Sequence, residues 1–240
     1  MIAMIGVVVP AANEQDRIAA CLGSLRAARA HLHRTAKRPI GVRIIVVLDS
    51  CEDDTAAIVA AHSDVEALDI RAGRVGVTRS KGAAHLLRSA GLPPRDTWLA
   101  NTDADSIVPH DWLSVAVAEA DRGADLLLGT VLPGPGLSAD IERAWRRRHV
   151  LRDDHAHVHG ANLGIRGDAY LAVGGWAPVA TGEDVRLAQR AASTGHLRVV
   201  RRAAAPVQTS TRRDGRAPRG FSSYLRGLDA AERPSAGAAP

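Results

Sequence analysis

Two carboxylates separated by one small residue, Asp103-Ala104-Asp105, stand at the end of an apolar run that begins at Trp98. The run reads as a buried strand. Pro109 then stops further extension, and His110 to Asp121 has a helical pattern. In open α/β sheets ligands collect beyond the carboxyl ends of the strands, so both acids are expected at the edge of a cleft. Neighbouring carboxylates without a basic partner repel unless a cation joins them. Magnesium and manganese take oxygen ligands and share them with phosphates. The pair therefore reads either as a metal site for a nucleotide diphosphate or as an ordinary acidic turn after a strand.

Other residues with chemical potential are less decisive alone. Arg79-Ser80-Lys81-Gly82 follows a glycine-broken stretch, Gly73 to Thr78, that reads as a loop, and Ala83 to Ala90 reads as a helix. Cations at a helix N-terminus oppose the dipole unless an anion sits there; otherwise both side chains reach water. His155, His157 and His159 alternate as if on one face of a strand, but no cysteine or carboxylate completes a zinc site at a familiar spacing. Arg146-Arg147-Arg148-His149 closes a helical pattern from Ser138 to Val150 and reads as a solvated basic face.

The elements that must position these residues alternate. Ile5 to Val9 is a β-branched run, followed by Pro10-Ala11-Ala12-Asn13-Glu14, with Asn13 placed to cap the next helix and Glu14 in its first turn. Ile18, Leu22, Leu25 and Leu32 recur at helical spacing. Val42 to Leu48 repeats the strand pattern and ends in the polar cluster Asp49 to Thr55. Thr55 to His62 reads as a helix, Ala67 to Arg71 as a weak strand and Asp125 to Leu128 as another. This order predicts an α/β chain with a mostly parallel twisted sheet and helices on both faces. The second half is less regular. Pro133-Gly134-Pro135-Gly136 breaks the pattern, Gly160 to Arg166 reads as a strand, Gly174-Gly175-Trp176 as a turn, and Thr181 to Asp184 opens a helix running to Thr194. Leu197 to Val200 and Val207 to Ser210 are short strand candidates, and disorder is expected from Asp229 onward.

Composition sets bounds. A chain of 240 residues predicts one domain with a substantial core. The net charge of +5 and a pI near 10.0 suit an anionic ligand. With only 3% aromatic residues the composition argues against a base-stacking platform for nucleic acid, and phosphate on a small ligand fits better. No uninterrupted run of about 18 apolar residues suggests a membrane span. Met1 to Val9 lacks a basic flank and reads as a first strand rather than a leader, and Cys21 and Cys51 as thiols of a reducing cytoplasm.

Together these stretches resemble family 2 glycosyltransferases of the GT-A fold. Val7 to Glu14 is similar to that family's opening strand and Pro-x-x-Asn-Glu turn. Val46 to Ser50, with Asp53-Asp54-Thr55, is similar to its second strand and acidic turn. Arg79 to Ala84 resembles its Ala-Arg-Asn-x-Gly segment, Asp103-Ala104-Asp105 its Asp-x-Asp motif, and Gly175-Trp176 with Gly182 to Leu187 its Gly-Gly-aromatic and Glu-Asp-x-x-Leu segments. The resemblance spans Ile5 to Tyr224. Ala12, Leu48 and Ser80 depart from the commonest residues.

The resemblance implies one GT-A domain over 1–228, with a Rossmann-like nucleotide-sugar half over 1–130, an acceptor half over 131–228 and a tail over 229–240. It implies transfer of a sugar from a nucleotide-diphosphate donor to an acceptor hydroxyl. Mn2+ or Mg2+ would sit at Asp103 and Asp105 and stabilise the leaving diphosphate. Pro10, Ala11, Asn13, Glu14, Asp49 and Ala104 would line the donor, with Glu14 and Asp49 near base and ribose. Arg79 and Lys81 would face the phosphates, and Arg212 or Arg213 would reach them from a closing loop. Gln208 or Ser210 would lie near the metal. Asp184 would be the general base of a direct, inverting displacement, with Glu183 beside it on sugar hydroxyls. The acceptor, whether a small molecule, a lipid-linked species or a glycan, is undefined. The implied setting is the cytoplasm or the inner face of the membrane. The alternatives are a nucleotide-sugar pyrophosphorylase-like nucleotidyltransferase, whose glycine-rich basic loop is missing after the first strand, and a non-catalytic nucleotide-sugar-binding protein. A dinucleotide fold would need Gly-x-Gly-x-x-Gly at the same place.

Overall fold

A computed structural model describes residues 1–149, 151–212 and 227. In chain order the elements are β1 (Met4–Ala11), α1 (Ile18–Thr35), β2 (Gly41–Asp49), α2 (Thr55–Ala60), β3 (Glu66–Ile70), α3 (Val75–Ser89), β4 (Thr97–Asn101), β5 (Ser106–Ile107), α4 (Trp112–Asp121), β6 (Leu126–Leu128), β7 (Val131–Pro133), α5 (Ala139–Arg148), β8 (Leu163–Arg166), α6 (Gly167–Ala172), α7 (Glu183–Ser193), β9 (Val199–Arg201) and β10 (Val207–Thr209). Seven strands form one sheet in the order β3-β2-β1-β4-β8-β6-β9. β3, β2, β1 and β4 run parallel, β8 is antiparallel to both β4 and β6, and β9 returns parallel to β6. The expected mostly parallel α/β sheet is therefore present.

The central strands β1, β2 and β4 lack polar alternation because both faces of the sheet are covered there. Ile44, Val46 and Leu48 of β2 join the core beneath α1 and α4, whereas Ile45 and Val47 join the core beneath α3, α6 and α7. α3 packs closely on the sheet at its glycine contacts. A Cβ on Gly82 would come within 2.6 Å of a Val8 methyl and 2.9 Å of a Val47 methyl, and one on Gly6 would overlap Leu86. Gly82 of the basic motif is thus there for helix–sheet contact.

Three local expectations are corrected. α3 starts at Val75, so Gly73 to Thr78 is not a loop throughout. Glycine and β-branched residues are poor helix formers, but tertiary packing overrides them, and Gly76 fits where a Cβ would meet the Ala177 carbonyl. Asn13 does not cap α1, which begins at Ile18. It sits at φ 52° and its Oδ1 accepts the Glu52 amide at 2.8 Å. Gly160–Asn162 is a 3-10 turn, with β8 starting only at Leu163, and His155, His157 and His159 lie outside any strand.

A second, three-stranded sheet, β5-β10-β7, stands beside the end of β4. β10 runs antiparallel to β5, and Ser106 Oγ donates to Thr209 Oγ1 at 3.1 Å. Asn162 fastens this unit to the main body. It accepts from Trp112 Nε1 at 2.9 Å and donates to the carbonyls of Thr130 and Ala205 at 2.8 and 3.1 Å.

Candidate active site

The carboxyl ends of β1, β2 and β4 come together as expected. β1 pairs with β2 up to Ala11↔Leu48 and with β4 up to Val8↔Asn101. After β4 the chain turns at Thr102 to Ser106, closed by the Ser106 amide donating to the Asp103 carbonyl at 3.1 Å, with Ala104 buried. The turn sends Asp103 and Asp105 to different partners. Arg79 Nη2 donates to Asp103 Oδ1 at 2.5 Å, and Arg212 Nη2 lies 3.0 Å from Asp105 Oδ2. Burial, reinforced by Asp103 and only partly opposed by Arg212, pushes the Asp105 carboxyl up to about 6. Such a group favours an added cation.

The turn after β1 is braced by the acidic turn after β2. The Glu14 amide donates to Thr55 Oγ1 at 2.7 Å, and Asp53 accepts the amides of Gln15 and Thr55 at 3.1 and 3.0 Å. Pro10 and Ala11 are the last two residues of β1, and Asn13 is engaged with Glu52 as described. The Glu14 side chain, 2% exposed, holds Arg212 through both oxygens at 2.8 and 2.9 Å. Asp49 performs a structural task of its own. Its oxygens accept the amides of Ala72 and Gly73 at 2.7 and 3.1 Å and the hydroxyl of Thr78 at 2.8 Å, fixing the entry to α3. Burial works against its charge, but these donors hold its carboxyl below the ordinary value.

Arg79 and Lys81 separate. With α3 beginning at Val75, neither lies in its first turn, and the anion argument drawn from a helix N-terminus does not apply. Lys81 is exposed, away from the buried face formed by Thr78, Arg79, Gly82 and Ala83. Arg79 is 2% exposed and points the other way. Besides Asp103 it contacts Glu183 Oε1 through Nε at 3.3 Å and lies 5.5 Å from the Trp176 ring centre. Burial opposes its charge, but Asp103, Glu183 and Asp184 keep it protonated. Trp176 is placed by a turn with Gly174 and Gly175 at φ 75° and 65°, the left-handed region that glycine occupies without strain.

α7 begins after Gly182, also left-handed at φ 76°. Glu183 is buried, which raises its carboxyl pKa; Arg79 opposes that rise and Asp184 adds to it. Asp184 accepts the Gly160 amide at 2.8 Å on Oδ2 and the Val185 amide at 2.8 Å on Oδ1. A Cβ on Gly160 would come within 2.8 Å of Arg79 Nη2 and 3.3 Å of Glu183 Oε1. Arg79 thus joins the Asp-x-Asp turn to the Glu-Asp helix start. Sequence reasoning missed this strut and the part of Gly160 in it, because the partners are far apart in the chain.

Gln208 and Ser210 line a cavity of about 430 Å³ together with Asp105, Arg212, Asp16 and Arg17. Arg213, like the tail from Asp229, lies outside the described residues. The histidines stack instead of converging on a point. His149 and His157 rings lie 4.7 Å apart, and His157 is 5.8 Å from both His155 and His159. Among the described residues no group of three or more His, Cys, Asp or Glu side chains is arranged to hold a metal ion.

The profile of glycosyl transferase family 2 matches residues 6–172. The chain belongs to that family. An uncharacterized glycosyltransferase of Mycobacterium tuberculosis is 29% identical over 149 residues, covering 59% of this chain and 58% of the relative. The family 2 chain therefore spans a little over half the length of the curated relatives it matches. A Pyrobaculum calidifontis mannosyltransferase solved with GDP-Man and Mn2+ is similar over 94% of this chain and 68% of its own, with a TM-score of 0.63 at 18% identity. Mycobacterium tuberculosis glucosyl-3-phosphoglycerate synthase, solved with Mn2+, UDP and phosphoglyceric acid, covers 95% of this chain and 78% of its own, with a TM-score of 0.59 at 16% identity. Staphylococcus aureus TarS (residues 1–349) with UDP covers 86% and 60%, with a TM-score of 0.61 at 16% identity. These likenesses establish the GT-A fold.

Proposed function

We propose that this family 2 chain transfers a sugar from a nucleotide-diphosphate donor to an acceptor hydroxyl with inversion at the anomeric carbon. The observation that carries the reading is the buried Arg79, which holds Asp103 of the Asp-x-Asp turn and Glu183 of the Glu-Asp helix start to one guanidinium. That contact brings the Asp-x-Asp turn and the Glu-Asp helix start side by side, as a donor motif and a base motif of one site would be. The UDP, GDP-Man and Mn2+ held by similar structures support a nucleotide-sugar donor and a divalent ion.

The residues fit such an ion. Asp103 and Asp105 offer oxygen ligands, and hard cations of this kind are commonly held by one or two carboxylates plus substrate phosphates. Asp103 and Asp105 would hold it, and when bound it supplies positive charge for the leaving diphosphate. The turn after β1, with Glu14, and the loop held by Asp49 border the base and ribose. Glu183 is fixed against Arg79 to meet sugar hydroxyls. Asp184, oriented by the Gly160 and Val185 amides, takes the proton from the acceptor hydroxyl as that oxygen attacks. One base and one direct displacement give one inversion. Among the described residues no helix is long and apolar enough to cross a membrane.

The test is Asp184→Asn, which keeps the size and one of the two oxygens that accept backbone amides but removes the basic carboxylate. Transfer should fall by about 10²–10⁴-fold with donor affinity nearly unchanged. Retained anomeric configuration by NMR, or an Asp184→Asn rate within about twofold of wild type, removes Asp184 from the base role.

A further inference from the structure

Arg212 reaches the donor site, but its partners are acids. Both of its terminal nitrogens engage Glu14, at 2.8 and 2.9 Å, and Nη2 also lies 3.0 Å from Asp105 Oδ2. The three residues come from the turn after β1, the turn after β4 and the segment after β10, and they meet only here. Glu14 and Asp105 are 2% and 12% exposed at their side chains, so the contact is poorly screened.

We propose that Arg212 is an internal cation of the donor site that competes with the divalent metal for Asp105. It holds Asp105 and Glu14 in register until a metal-bound nucleotide displaces it. The inference rests on the reading of Asp103 and Asp105 as the metal pair. A divalent cation held by Asp105 would share that carboxylate with the guanidinium, so two positive charges would meet within a few ångströms. The two repel strongly where water is scarce. A guanidinium does not yield by losing its proton, so it must move. The backbone can stay while it does. Thr211 Oγ1 donates to the Pro135 carbonyl at 2.7 Å, and the Arg212 amide donates to Ser210 Oγ at 3.2 Å.

The experiment is a calorimetric titration of MnCl2 alone, without nucleotide, into wild type, Arg212→Gln, Arg212→Lys and Asp105→Ala. Arg212→Gln removes the charge and should bind Mn2+ about tenfold more tightly than wild type. Arg212→Lys keeps a charge but loses the two-pronged hold, and should fall between them; it carries the test if the glutamine variant fails to fold. Asp105→Ala should lose the binding. Mn2+ affinity equal to or weaker than wild type in the Arg212 variants overturns the competition. If that happens while Asp105→Ala still loses Mn2+, the metal pair stands and only the role of Arg212 falls. Equal Mn2+ binding by wild type and Asp105→Ala overturns the metal pair and this inference with it.

Discussion

At the scale of single residues, two glycine-tight contacts and one buried cation set the chemistry. Arg79 is enclosed by Asp103, Glu183, Trp176 and the Gly160 backbone. Removing one partner of a buried ion pair leaves the other charge uncompensated, typically at about 3–5 kcal/mol. Gly160 is the sharper probe. A methyl there would strike a guanidinium that is itself buried and cannot swing into water. Gly160→Ala should lower stability by about 1–3 kcal/mol in urea unfolding, as overpacking usually does. It should also depress transfer, because the Gly160 amide orients Asp184. Unchanged stability together with unchanged transfer would show that the Arg79 contact yields easily. The signals legible in the sequence were the acids themselves. Nothing in Gly160-Ala161-Asn162 announces that its first amide holds a carboxylate 24 residues later.

At the scale of elements, α3 is the decisive one. Its first turns contain residues with poor helix propensity, yet it forms because its inner face seals the sheet through Ala83 and Leu86. Gly82 shows which effect dominates. Replacing a mid-helix glycine by alanine gains about 1 kcal/mol of propensity. The added methyl would meet Val8 and Val47 at 2.6 and 2.9 Å, in a core where overpacking costs about 1–3 kcal/mol. Gly82→Ala should therefore be neutral to destabilising, the reverse of the helix-propensity expectation; a midpoint in urea higher than wild type would refute close packing here. The small β5-β10-β7 sheet plays the complementary role. It delivers Arg212 to Asp105, and Asn162 secures it through three hydrogen bonds.

At the scale of the whole molecule, the helix α1 is tied to the chain entering β3 by Asp64, which accepts from Arg26 and Arg29. Their hydrogen bonds, led by that of Arg26 and opposed by burial, hold the Asp64 carboxyl well below the usual carboxylate range. A folded-state pKa below the unfolded value means that the unfolded chain takes up the proton first. The stabilisation is present above the ordinary carboxylate pKa and is lost as pH falls through it toward the folded value. Thermal melts should thus show Asp64→Asn less stable than wild type near neutral pH, with the gap closing on acidification. A gap that is constant from neutral to strongly acidic pH would rule out the ionised pair as its source.

The sequence by itself determined the alternating elements, the two-sided burial of the parallel strands and the candidate acids Asp103, Asp105, Glu183 and Asp184. These are local matters: apolar runs, turn residues and short motifs carry their own signal, and the family resemblance joined them in order. Tertiary structure alone decided what each side chain touches. Arg79 and Lys81 lie two residues apart, yet the helix turns one into the core and the other to solvent, and that depended on where α3 began. Arg212 and Glu14 are 198 residues apart. Their contact exists because β10 pairs with β5 beside the turn after β4, and strand pairing between distant segments leaves no mark in the residues nearby.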